Sequence, residues 1–180
     1  MQKLKITEMQ RLGTEEYIKS KKLPLTIVLD DVRSMNNVGS IFRTADAFRL
    51  EGICLCGITA RPPHPDIHKT ALGAEESVPW QYYPSTMAAV EDLLCQGYSL
   101  CAVEQAHGSI SLETFHPEIG KRYALILGNE VKGVRQNVIN MCNCCLEIPQ
   151  FGTKHSLNVS VTAGIVIWQM VAPMLSLLRP

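Results

Sequence analysis

The pattern of apolar and polar positions alternates between two periods, which predicts strands and helices in alternation. Apolar runs predict strands over residues 25–30, 52–57, 78–83, 98–104 and 123–127, and another that ends at Ile148. Helical spacing predicts helices over residues 7–19, 38–48, 85–96 and 135–141, and a last one that Asn158 opens. Apolar strands separated by helices indicate an α/β fold, with a mainly parallel sheet and helices on both faces.

The beginning of the chain differs from the rest in charge. Residues 1–22 hold six basic and three acidic residues, a net charge of +3. Thr7 is the candidate N-cap of the first helix, and Pro24 interrupts the chain after it. We therefore expect a short basic helical segment over residues 1–24, followed by a single domain over residues 25–180.

The whole chain is neutral, with 17 Lys and Arg against 17 Asp and Glu among 180 residues. This balance argues against binding nucleic acid through bulk charge, although a local basic patch stays possible. The hydrophobic fraction of 46% suits a substantial core.

Seven cysteines are an odd number, and their spacings are poor for a disulfide scaffold. We therefore expect free, buried thiols, no metal and a cytoplasmic protein without a signal peptide. Residues 155–178 lack Asp, Glu, Lys and Arg. This uncharged stretch is long enough to span a membrane. Because Asn158, Gln169 and other polar residues interrupt this stretch, we expect a helix in a packed interface instead.

Three polar loops with glycines follow predicted strands, where parallel sheets bind ligands. In the first, Asn37 is a candidate helix cap, and Arg43 is either a surface arginine or a ligand for a phosphate or oxyanion. In the second, Gly128 and Gly133 have P-loop spacing, but Val134 follows where a P-loop has lysine.

Two further candidates have structural alternatives. Glu130 in the second loop could be a helix-start charge or an arginine partner. Ser156 in the third loop lacks the G-x-S-x-G context of a hydrolase nucleophile, so Ser156 and Asn158 are first interpreted as caps and hydrogen-bonding groups.

Taken together, the loops resemble the three motifs of the SpoU/TrmH branch of the SPOUT RNA methyltransferases. The matching strings are NNVGSIFRTADAF, LGNEVKGV and IPQFGTKHSLNVSVTAGI, and the resemblance runs from residue 25 to 169. It implies a C-terminal trefoil knot, a homodimer with active sites at the subunit interface, and S-adenosylmethionine as the cofactor. The implied cofactor-binding residues are Leu127, Gly128, Asn129, Ile148, Pro149 and Leu157.

The resemblance implies methylation of a ribose 2′-hydroxyl in tRNA or rRNA, with Arg43 directed at the 2′-oxygen and the adjacent phosphate. Because a guanidinium stays protonated, we expect it to stabilise the developing alkoxide, while a phosphate oxygen or water takes the proton. Asn37 and Asn158 would orient Arg43 or the substrate, Glu130 would hold an arginine or the cofactor's ammonium, and Ser156 would hydrogen-bond near the cofactor.

Two alternatives stay open at this point. The neutral charge is also compatible with a knotted RNA-binding or assembly factor that has lost catalysis. A methylated base in place of a methylated ribose is the other alternative. Neither the RNA nor the modified nucleotide can be read from the sequence.

Overall fold

A computed structural model of the chain describes residues 1–5, 8–9 and 11–178. The described residues form one seven-stranded sheet in the order β3-β2-β1-β6-β4-β7-β5, in which every neighbouring pair is parallel. The strands are β1 (Leu23–Asp30), β2 (Leu50–Cys56), β3 (Trp80–Tyr83), β4 (Ser99–Val103), β5 (Ile110–Ser111), β6 (Tyr123–Leu127) and β7 (Cys144–Glu147).

Helices cover both faces of the sheet. They are α1 (Thr14–Lys19), α2 (Met35–Ala47), α3 (Pro65–Ala71), α4 (Ala74–Ser77), α5 (Thr86–Cys95), α6 (Gln136–Ile139) and α7 (Val159–Val171), with 3₁₀ helices at Leu112–Thr114 and Ala172–Leu178. One core joins the sheet to α2, α3 and α7, and the other joins it to α5 and α6. The predicted α/β class and mainly parallel sheet are therefore confirmed.

The central strand β1 shows why its sequence is an unbroken apolar run. Ile27 and Leu29 face the core with α2 and α7, whereas Val28 faces the core with α5. Alternate side chains of a strand point to opposite faces, so a strand covered on both sides must be apolar throughout. Gly39 of α2 allows α3 to pack closely, because a Cβ there would lie 2.3 Å from the carbonyl oxygen of Ile67.

The predicted helix over residues 7–19 is wrong in its extent. The helix begins only at Thr14, because Gly13 is extended and donates its N–H to the Glu16 carboxylate at 3.0 Å. Thr7, the predicted cap, lies outside the described residues. Tyr17 of α1 is buried in the main core, and β1 begins before the expected boundary at residue 24.

The stretch Val159–Leu178 has a mean hydropathy of 1.8 and is, by length and composition alone, able to cross a membrane. Its side chains nevertheless divide into two sets. Val166, Ile167 and Met170 are fully buried in the core, while Ile165 and Trp168 are 40% and 52% exposed. The stretch therefore packs as a core helix that keeps one apolar side uncovered.

Candidate functional site

The candidate site is a cavity of about 1210 Å³ at the carboxyl edge of the sheet. Because β1, β6, β4 and β7 are neighbours in the sheet, the loops that follow them meet at this edge. The wall consists of residues 103–107 after β4, residues 127–134 after β6, and Ile148, Gln150 and residues 155–159 between β7 and α7.

The loop after β6 is held by its own main chain and by Asn129. The Asn129 Oδ1 accepts the N–H groups of Val131 and Lys132 at 2.9 and 3.2 Å, and its Nδ2 donates to the carbonyl of Asp31 at 2.8 Å. A Cβ on Gly128 would lie 2.2 Å from the main chain of Gly133 and Val134. The tight loop therefore requires glycine at position 128.

Glu130 connects this loop to the start of α2. Its carboxylate accepts the main-chain N–H groups of Arg33 and Ser34 and the Asn37 Nδ2, each at 3.3 Å. Partial burial raises the pKa of Glu130, but its hydrogen bonds outweigh this effect, so the pKa is below its ordinary value. Glu130 is therefore held as an anion at the N-terminus of α2.

Asn37 connects the first motif to the third. The Asn158 Nδ2 donates to the Asn37 Oδ1 at 3.2 Å, and the Asn158 Oδ1 caps α7 by accepting the N–H of Ser160 at 2.9 Å. Glu130, Asn37 and Asn158 thus form one chain of hydrogen bonds. These three residues come from three separate loops of the sequence.

Glu104 and Gln105 belong to the site although the sequence did not single them out. The Glu104 Oε2 accepts the N–H of Val134 at 2.9 Å, and the Gln105 Nε2 donates to the carbonyl of His155 at 3.0 Å. The loop after β4 thereby holds both other walls of the cavity. The available signal was a glutamate at the carboxyl end of a predicted strand, which is the end of a parallel strand where ligands bind.

Asp30 and Arg135 form an ion pair beneath the site. The Arg135 Nη2 lies 2.6 Å from the Asp30 Oδ1, and Asp30 is 1% exposed. The hydrogen bond that Arg135 donates to Asp30 is the main cause that raises the pKa of Arg135, against a smaller opposing effect of burial. The pair fixes the segment after the β6 loop to the end of β1.

The predicted site residues other than Asn37 lie in three separate depressions of the surface. Most of them line the cavity, namely Leu127, Gly128, Asn129, Glu130, Ile148, Ser156, Leu157 and Asn158. Pro149 lies instead in an apolar depression beside Ile165 and Trp168. Arg43 lies in a third depression, of about 540 Å³, together with Lys69 and Thr70. A single chain thus does not place Arg43 in the cavity wall.

The fold and site define an α/β protein with a ligand cavity at the carboxyl edge of a parallel sheet. The chain belongs to the SpoU rRNA Methylase family, which it matches over residues 24–168. The resemblance of the three motifs is therefore confirmed.

The chain is 29% identical over 144 residues to the 23S rRNA (guanosine-2′-O-)-methyltransferase RlmB of Neisseria meningitidis. The aligned region covers 80% of this chain and 56% of the RlmB chain. It is 25% identical over 166 residues to a tRNA (guanosine(18)-2′-O)-methyltransferase of Borreliella burgdorferi. That alignment covers 92% of this chain and 74% of the relative. The chain therefore spans little more than half the length of the RlmB relative.

Solved structures give the same result for the fold. The AdoMet-bound rRNA methyltransferase of Sinorhizobium meliloti superimposes with a TM-score of 0.79 at 27% identity, covering 86% of this chain and 58% of that one. The SpoU methyltransferase AviRb of Streptomyces viridochromogenes, in complex with AdoMet, superimposes with a TM-score of 0.75 at 25% identity. The superposition covers 89% of this chain and 64% of AviRb.

Proposed function

We propose that the chain is an S-adenosylmethionine-dependent methyltransferase that modifies a ribose 2′-hydroxyl of tRNA or rRNA. The observation that carries this proposal is the hydrogen-bonded chain of Glu130, Asn37 and Asn158 at the cavity. It joins all three family motifs at one point. The names and bound cofactors of the relatives support the same activity.

The chemistry of the cavity wall suits the cofactor. Its glycine-containing loop offers main-chain groups at close range, because no side chain stands at position 128. S-adenosylmethionine supplies a methyl group on a positively charged sulfur. Residues from both loops would hold it, namely Leu127, Gly128, Asn129, Ile148 and Leu157, while Pro149 borders the depression that shares Ile148 with the cavity. We infer that the segment from β7 to α7 forms the family's trefoil knot, which agrees with its contact to the β4 loop through Gln105.

The proposed catalytic group is Arg43, on the exposed side of α2. A guanidinium is permanently charged in proteins, so its role is to stabilise the alkoxide that develops at the 2′-oxygen. A phosphate oxygen or a water molecule then takes the proton. Glu130 and Asn37 fix the N-terminus of the same helix, so both orient Arg43 through α2. Ser156 and Asn158 on the cavity wall would position the substrate.

We infer a homodimer in which each site uses both subunits. The exposed apolar side of α7, with Val161, Ile165 and Trp168, is the proposed contact surface. The separation of Arg43 from the cavity within one chain supports this arrangement, because a second copy would complete the site. We also propose a cytoplasmic protein with reduced thiols; all seven cysteines are free, although Cys95 is exposed and not buried as expected.

The test uses purified protein, S-adenosylmethionine with a labelled methyl group, and tRNA and rRNA from cells that lack the gene. We expect the Arg43→Ala variant to lose methyl transfer while cofactor binding, measured by calorimetry, persists. Lys121→Ala is the matched control, because Lys121 lies at the opposite end of β6. Full activity of Arg43→Ala on the modified RNA would overturn the role of Arg43.

The same labelled RNA separates the alternatives. A methyl group on the ribose makes the following phosphodiester resistant to alkali, whereas a methyl group on the base does not. The absence of transfer to any RNA, with retained RNA binding, would instead indicate a binding or assembly factor.

A further inference from the structure

Two aromatic side chains stand exposed on β3, at the edge of the described sheet. Trp80 and Tyr82 are 38% and 37% exposed, although aromatic residues in a strand are usually packed. They alternate with Gln81, and Tyr83 on the other face is buried against α5. Trp80 and Tyr82 therefore share one face of the sheet, about 7 Å apart along the strand.

Arg61 adds a positive charge to this surface. Its guanidinium lies over the ring of Tyr82, 4.2 Å from the ring centroid. Arg61 belongs to the segment that connects β2 to α3. Trp80, Tyr82 and Arg61 together form what we call the β3 platform.

The platform lies on the same face of the sheet as Arg43. Trp80 and Tyr82 are in register with Ile53 and Leu55, whose side chains belong to the core under α2 and α3. The depression around Arg43 is formed by those same two helices and includes Lys69. A nucleotide strand bound both at Arg43 and at the platform would therefore lie on one face of the sheet.

We propose that the β3 platform binds a single-stranded segment of the substrate RNA by stacking one base on Trp80 and a second on Tyr82, whose ring carries the Arg61 guanidinium on one face. This inference rests on the proposed function for the identity of the RNA. Aromatic rings with an adjacent arginine are the usual surface for unpaired bases, because stacking needs no particular sequence.

The charge balance requires that RNA affinity come from more than a broad basic field. A chain with 17 positive and 17 negative side chains has no broad basic field to hold phosphates. Stacking is a source of affinity that does not depend on net charge. The guanidinium over Tyr82 complements an adjacent phosphate, so ring and charge act on one nucleotide.

The test measures binding of a fluorescent single-stranded RNA of about 12 nucleotides, at about 50 and about 200 mM salt. We expect the double variant Trp80→Ala/Tyr82→Ala to bind about tenfold more weakly at both salt concentrations, because stacking is lost and phosphate contacts remain. Arg61→Ala should instead reduce the dependence of RNA affinity on the salt concentration. Gln81→Ala, on the opposite face of the same strand, is the matched control and should bind like the wild type.

A second readout follows the bases directly. We expect RNA to quench the fluorescence of the wild type more than that of Trp80→Phe, because only the former has an indole on the platform. With methylatable RNA, the double variant should raise the KM for RNA while kcat is retained.

The results separate this inference from the proposed function. Methyl transfer by the wild type, with unchanged RNA binding and KM in the double variant, would overturn the platform alone. A double variant with altered oligomeric state but unchanged RNA binding would assign the surface to a protein contact and also overturn it. The absence of methyl transfer by the wild type, with weaker RNA binding by the double variant, would overturn the proposed function and leave the platform standing.

Discussion

Glu130 shows how the partners of a residue decide its role. The sequence allowed an arginine or the cofactor's ammonium as its partner, whereas the carboxylate binds the main-chain amides of Arg33 and Ser34. The first turn of a helix leaves such amides without partners, and a nearby carboxylate satisfies them. These amides lie 97 and 96 residues away along the chain, so no local pattern could have identified them.

We predict that Glu130→Gln is destabilised at neutral pH and that this difference disappears in acid. The pKa of Glu130 is lowered in the folded protein from an ordinary value of 4.5, so its stabilising effect is complete above that value and is lost as the pH falls through the lower, folded pKa. Because the side chain is exposed, the effect is about 0.5 kcal/mol. Urea unfolding at neutral and acidic pH measures it, and Glu91→Gln on α5 is the control. An equal difference at both pH values would contradict the role of the charge.

At the scale of elements, the long apolar strands and α6 were predictable, whereas α3 and α4 were not. The prediction for residues 123–127 matches β6, because a run buried on both faces has no other interpretation. By contrast, α3 and α4 over residues 65–77 were missed. They are short, and the turn between them places Leu72 in a left-handed conformation at φ 54, which no sequence pattern indicates. Tertiary contacts with α2 determine these helices.

The residues of the cavity wall also divide into those that the sequence predicted and those that it did not. The residues of the family motifs were named from the sequence, whereas Glu104 acts only through the fold, because β4 lies between β6 and β7. The order of strands in a sheet is not written in any one strand. The placement of Arg43 outside the cavity also depends on the packing of α2 against α3, and could not be predicted from its spacing to Asn37.

We predict that Gly128→Ala disrupts the β6 loop. The new Cβ would lie 2.2 Å from the main chain of Gly133 and Val134, so the loop must open. We expect a loss of about 2 kcal/mol in the free energy of unfolding and a loss of cofactor binding. Gly152→Ala is the matched control, because no atom lies within 4 Å of its added Cβ. Calorimetric titration with S-adenosylmethionine checks the expectation, and normal affinity in Gly128→Ala would contradict it.

We predict that the Asp30–Arg135 pair is needed to hold α6 and the β6 loop against β1. Arg135→Ala leaves the carboxylate of Asp30 buried without its cation. Because the Arg135 side chain is half-exposed, water can enter the space that it leaves and reach Asp30. We therefore expect a loss of about 2 kcal/mol, below the usual range for a fully buried pair. Asp30→Asn/Arg135→Ala should recover part of this loss, as measured by chemical unfolding. Strict additivity of the two single variants would show that the pair does not interact.

At the scale of the whole molecule, the uncovered side of α7 and the divided site point to the same assembly. The helix lacks acidic and basic residues throughout, although only one of its sides packs in the core of the chain. The other side adjoins the depression with Pro149, which the family resemblance assigned to the cofactor. A second copy on this side would cover the apolar surface and bring a second α2 towards the cavity, and the neutral net charge does not oppose such self-association.

The last prediction tests this assembly through Trp168 and Ile165. Both are partly exposed on α7, so a glutamate there would be solvated in a monomer but desolvated in the proposed interface. We expect Trp168→Glu and Ile165→Glu to weaken the dimer at least about 30-fold in sedimentation velocity. Both should keep the helical circular dichroism of the wild type and lose methyl transfer, because each monomer would have only part of the proposed site. Ile119→Glu, at a residue that is 64% exposed in the loop before β6, controls for an added charge and should change neither property. A monomeric Ile165→Glu that transfers methyl groups at the wild-type rate would show that one chain forms a complete site.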